Sequence, residues 1–245
     1  MKKAQLTIFI IIGILFFAMI FFWILFFSNF GKTDLQNSSD EINTLVVDCL
    51  ESTVQNGIFF IGLQGGYVEV SDPKLEEGSF DVPLYFVNGT YIKFPSLEDI
   101  EDELSNYVET RIINCVEDLD VEYDKDYIEA DLLIGDAKII TDLNFPIRVN
   151  SGEESVVLYE FYVEIDSDFK KRFEAIEEYI EAQKLDMDNL LTSSLDDVAI
   201  KNDLEVDVQV YIDNNVVFKF VGDETHNLFS NYSFIFAIKY DWELE

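Results

Sequence analysis

The stretch from Leu6 to Phe27, LTIFIIIGILFFAMIFFWILFF, carries no charge and no polar stripe. At about 1.5 Å per residue, a helix of this length reaches across a hydrocarbon core of roughly 30 Å. A cleaved secretory signal has an apolar region about half as long that ends at a small-residue site, whereas Ser28, Asn29 and Phe30 follow here. A helix buried inside a protein would need partners for every one of these Phe and Ile side chains. The segment therefore reads as a single transmembrane helix in a lipid bilayer, with Leu6, Ile10, Phe17, Trp23 and Phe27 spaced along it as anchor positions. Lys2 and Lys3 precede it, and positive flanks stay on the cytoplasmic side, which places the rest of the chain outside the cell. The expected organisation is a basic segment 1–5, a spanning helix 6–27, a polar linker 28–40 and an ectodomain 41–245.

Charge narrows the partners of that ectodomain. The first thirty residues hold two of the 16 Lys and Arg and none of the 49 Asp and Glu, so the remainder has 14 bases against 49 acids. Such a surface repels nucleic-acid phosphates and anionic headgroups and favours cations and basic partners. With four Pro and eleven Gly among abundant Ile, Val, Phe and Tyr, the chain can bury enough apolar surface to fold.

Met1-Lys2-Lys3-Ala4-Gln5, running directly into the apolar stretch, resembles the class III, prepilin-type signal peptides of archaeal surface proteins. The resemblance implies cleavage between Ala4 and Gln5, with the hydrophobic helix retained in the bilayer or packed with identical subunits in a pilus-like filament. Pilins of this kind often carry Glu at the fifth mature position, where this chain has Phe9. The resemblance ends at about residue 27.

Beyond the linker, periodicity predicts an α+β domain of mostly antiparallel sheet with about three packed helices. Asp40 stands where an N-cap would, ahead of Ile42, Leu45, Val46, Cys49, Leu50 and Val54 at helical spacing. That helix is expected to stop near Gly62-Leu63-Gln64-Gly65-Gly66, followed by an extended YVEV. Asn88-Gly89-Thr90 between two apolar runs predicts a β-hairpin. Ser96 caps a second helix that carries Ile100, Leu104, Tyr107, Val108, Ile112 and Cys115 inward. Period-two runs mark strands from Tyr127, around 139–145 and 156–165. A third helix from Asp166 shows Phe169, Phe173, Ile176 and Ile180 on one stripe. Leu204 to Ile212 alternates as a half-buried strand, turned at Asp213-Asn214-Asn215 onto Val216–Val221, and Phe234, Phe236, Ile238 and Tyr240 form one face of a last strand.

Cys49 and Cys115 sit in similar settings, VVDCLE and IINCVE, each on the apolar side of a helix. An exported pair in an oxidising compartment normally joins, so a Cys49–Cys115 disulfide is expected. Asn37, Asn88 and Asn231 each begin an N-glycosylation tripeptide. Asp118, Asp120, Glu122, Asp124 and Asp126 recur at every second position and are weak candidates for Ca²⁺, without the glycine and distal Glu of an EF-hand.

Catalytic patterns are missing. His226 is the single histidine, and the chain has no Gly-x-Ser-x-Gly, His-Glu-x-x-His or dinucleotide fingerprint. No cofactor is implied. The sequence thus points to a non-enzymatic, membrane-anchored cell-envelope protein for surface assembly, adhesion or partner binding. The alternatives are a pilin-like subunit processed after Ala4 and an ectoenzyme using a carboxylate pair.

Overall fold

A computed structural model describes residues 38–151, 154–211, 213–222 and 232–242. The first helix, α1 (38–63), buries Val46, Leu50, Val54, Ile58 and Ile61 on one stripe. Residue 38 is already helical, so Asp40 lies within the helix and is not its cap. Of the expected inward positions Val46, Leu50 and Val54 are buried and Ile42 packs against the core, whereas Leu45 is 46 % exposed. At its end, the Gly66 N–H reaches back to the Ile61 carbonyl at 2.8 Å, and Gly65 and Gly66 hold φ of 56° and 90°, a left-handed exit that suits glycine. YVEV then forms an irregular loop instead of a strand. The buried Gln64 amide explains this, because it donates to the carbonyls of Tyr67 and Val68 and takes them out of any ladder.

Strands β1 (Lys74–Glu77), β2 (Phe80–Val87) and β3 (Thr90–Tyr91) follow. The β2–β3 hairpin turns at Asn88-Gly89 with positive φ at both residues, as the sequence predicts. Helix α2 (Leu97–Arg111) starts with Ser96 and Asp99 in a reciprocal capping box and buries Ile100, Leu104 and Val108. A 3₁₀ turn, Ile112–Cys115, closes it.

Next come β4 (Val121–Tyr123), β5 (Glu129–Ile134), β6 (Lys138–Ser151) and β7 (Glu154–Asp166), an antiparallel sheet built around β6. β4 and β5 lie end to end along one edge of β6, and β7 pairs along the other. Pro146 falls where the β6–β7 register shifts between Asn144 and Ile147, a bulge that tolerates its missing N–H. Helix α3 (Phe169–Leu185) begins after β7 ends at Asp166, three residues later than expected. Helix α4 (Thr192–Asn202) leads to β8 (Leu204–Val210), β9 (Asn215–Gly222) and β10 (Ser233–Lys239).

The expected architecture needs correction on three points. Among the described residues there are four α-helices, not about three; α4 buries only Leu195 and Val198, too short a stripe to register as a period. The larger sheet, ordered β1-β2-β10-β9-β8 with β3 on β2, is mixed, because β10 runs parallel to β2. β10 lies inside this sheet, and Ile235 and Ala237 are buried on the face opposite Phe234, Phe236 and Ile238. Finally, among the described residues no helix is long and apolar enough to cross a membrane. Leu6–Phe27, on which the spanning helix rested, lies outside the described residues.

One continuous core joins the two sheets and the four helices. Across β2, β10 and β9, the rings of Tyr85, Phe236 and Phe218 stack at 4.8 and 5.0 Å. Such aromatic rungs across neighbouring strands stabilise a sheet beyond the area they bury.

Candidate functional site

Cys49 of α1 and Cys115 at the end of the 3₁₀ turn form a disulfide, with Cα atoms 6.0 Å apart and a sequence separation of 66. The helix stripes bring this about: each cysteine borders the buried row of its own helical segment, and α1 and α2 share one core. The link ties the start of the described domain to the end of α2.

The metal candidates are not brought together. Glu122 faces Arg148 at 3.8 Å and accepts from the Asn150 amide, whereas Asp124 caps the turn that follows by accepting from the Asp126 N–H. Asp118 and Asp120 sit in the turn before β4. Among the described residues no group of three or more His, Cys, Asp or Glu is placed to hold a metal ion. Asn88 is exposed at the hairpin tip, its backbone N–H bonded to the Lys239 carbonyl at 2.8 Å. Lys2, Lys3, Ala4, Gln5, the five anchor residues, Asn37, His226 and Asn231 lie outside the described residues.

A shallow groove of about 160 Å³ lies on the six-stranded sheet. Its lining combines Phe80, Val82, Val217 and Ile235 with Glu77, Asp207, Gln209, Tyr211 and Lys219. The Gln209 amide donates to Asp207, and the Tyr211 phenol is raised above its ordinary range by desolvation, then by its hydrogen bond to Glu77 and the charges of Glu77 and Asp207. A raised phenol beside carboxylates is a poor nucleophile, and the volume is below that of ordinary small-molecule pockets. Buried polar groups elsewhere act as core. Arg172 is 1 % exposed, donates through Nε to Asp168 and through Nη1 to the Tyr232 carbonyl, and stacks over the Tyr232 ring at 4.4 Å. Gln183 accepts from the hydroxyls of Tyr179 and Tyr240 and donates to the carbonyls of Asp186 and Asn189, which fills its capacity.

The outer face of the four-stranded sheet has a different character. Register places Glu129, Asn144 and Glu160 on one rung and Asp131, Asp142 and Tyr162 on the next. Glu129, Asp131, Asp142 and Glu160 are all exposed, and none of their carboxylates has a hydrogen bond or ion pair. Beside them Glu164 is held by Lys138 and by the Tyr162 hydroxyl, which lowers its carboxyl below the ordinary range. Tyr159, Tyr162 and Leu133 are exposed by 57, 48 and 57 % on this part of the sheet. Carboxylates around apolar side chains make a surface that can dock a cationic, partly apolar partner. The sequence showed the alternation but not which acids share a rung.

No family model, curated protein or solved structure matches the chain.

Proposed function

We propose that this chain is a non-enzymatic cell-envelope protein. Its acidic, disulfide-stapled domain is displayed on the outside of a membrane, attached through the apolar N-terminal segment, for surface assembly or partner binding. The Cys49–Cys115 disulfide carries this reading, because such bonds persist in oxidising compartments and are rare where thiols are kept reduced. The excess of acids beyond residue 30 and the lysine pair before the apolar run support the same orientation.

The test is surface proteolysis of intact cells combined with thiol mapping of the membrane fraction. The expected result is a chain cut from outside, with Cys49 and Cys115 resistant to alkylation until reduced. A cytoplasmic chain with both thiols free overturns the reading. A mature N-terminus at Gln5 in sheared surface material would instead make the protein a filament subunit.

A further inference from the structure

The two edges of the four-stranded sheet are finished in opposite ways. On the β5 edge, the backbone N–H of Ala130 donates to Glu109 at 2.9 Å and that of Ile134 donates to Glu101 at 2.7 Å. Helix α2 thereby closes an edge that would otherwise offer a free ladder. These two bonds also define the phase of the sheet. In antiparallel pairing, residues alternate between bonding their neighbour and pointing away from it. Ala130 and Ile134 point away from β6, so their opposite numbers Leu143 and Ile139 point toward β7 and bond to Phe161 and Ile165. It follows that Glu160, Tyr162 and Glu164 direct their N–H and C=O groups outward from β7.

Among the described residues nothing bonds to that outer row. β7 is thirteen residues long, and a long open edge is a template for an added strand. The side chains decide what can be added. Glu160, Tyr162 and Glu164 lie on the exposed face, whereas Phe161, Val163 and Ile165 point into the core at 2, 6 and 4 % exposure. A strand laid beside them would place its own alternate residues next to carboxylates on one face and next to core side chains on the other. A second copy of β7 fits poorly. Antiparallel self-pairing about Tyr162 sets Glu160 against Glu164, and like charges directly opposite are destabilising.

We propose that the free edge of β7, from Glu160 to Glu164, is a strand-addition site for an extended segment of a partner protein that alternates Lys or Arg with apolar residues. The proposal rests on the reading of this chain as a partner-binding surface protein and names the chemistry of the partner.

The probe is an eight-residue peptide of alternating lysine and valine, titrated into the full-length chain and followed by calorimetry and amide hydrogen exchange. Saturable binding is expected, with new protection at the N–H groups of Glu160, Tyr162 and Glu164. A peptide of the same composition with its lysines in one block, and one alternating glutamate and valine, are expected not to protect these amides. Tyr162→Pro removes an outward donor that no ladder bond uses, and should weaken binding about tenfold or more. Glu160→Lys alters an unpaired, exposed side chain and keeps the test informative should the proline variant unfold; it should weaken binding about fivefold. Absence of binding, equal binding of the blocked peptide, protection elsewhere, dimerisation through β7, or undiminished binding by Glu160→Lys each overturns the proposal. The surface proteolysis result stands independently of all of them.

Discussion

Asp131 of β5 and Asp142 of β6 stand directly opposite one another on the outer face of the sheet, and neither has a cation partner. Like charges at such cross-strand positions are destabilising, and an opposite-charge pair there contributes roughly 0.2–1 kcal/mol. Stability should therefore rise in the order wild type, Asp142→Asn, Asp142→Lys, read by denaturant titration at low ionic strength. At about 1 M salt the Debye length shrinks to about 3 Å, so the three proteins should converge. An Asp142→Lys protein no more stable than the Asn variant at low salt would show that the pair does not interact.

Glu101 and Glu109 are eight residues apart on α2, about 12 Å along its axis, and Ile134 and Ala130 are four apart on β5, about 13 Å. This match lets one helix face satisfy two edge donors at once. Leaving a buried backbone donor without its partner costs about 1–3 kcal/mol. Glu101→Ala should lose that much, measured by equilibrium unfolding, while Glu101→Gln keeps an acceptor and loses less. The Ala variant should also show faster hydrogen exchange at Ile134. Equal losses for the two substitutions would assign the effect to packing instead of to the bond.

The elements read correctly from the sequence owe their form to neighbours along the chain. Asn88-Gly89 specifies its hairpin through the positive φ that both residues accept, and Ser96 with Asp99 specifies a helix start within four residues. Cys49 and Cys115 are the two cysteines, and each lies beside an apolar stripe. Apart from that disulfide, features set by distant pairing were not legible. Glu101 and Glu109 look like any solvated acids on a helix, and their partners are 33 and 21 residues away. Ser233–Lys239 reads as a one-sided strand until its parallel neighbour β2 shows that it lies within the sheet. The open edge of β7 is likewise invisible, since alternation tells which face is wet but not which edge is free.

The disulfide joins two residues with a sequence separation of 66. Restricting the unfolded chain by a link of this span stabilises the fold by about 4 kcal/mol on the chain-entropy argument. Cys49→Ala with Cys115→Ala should unfold at a correspondingly lower denaturant concentration, and reduction of the wild type should match it. A loss below about 1 kcal/mol would show that the unfolded chain is already compact around this pair.

The capping box at α2 links stability to acid. The Asp99 carboxylate accepts from the Ser96 backbone N–H and from the Ser96 hydroxyl, both at 2.8 Å, and the Ser96 oxygen accepts from the Asp99 N–H at 3.1 Å. These bonds favour the ionised form, so the Asp99 pKa falls below its ordinary value, with Ser96 the largest cause and the nearby Lys93 a smaller one. A carboxyl whose folded pKa is depressed contributes stability above its unfolded pKa and loses it as pH falls through the folded one. The Asp99 contribution should thus be complete at neutral pH and disappear below about pH 4. Asp99 is partly exposed, so its share of acid unfolding is small, and the direct readout is its own titration by carboxyl NMR. Ser96→Ala removes the hydroxyl from both sides of the box and leaves the backbone N–H bond. It should lower stability by about 0.5–2 kcal/mol at neutral pH and raise the Asp99 midpoint part of the way to the ordinary value. An unmoved midpoint would mean that the backbone N–H and Lys93 hold the charge without the hydroxyl.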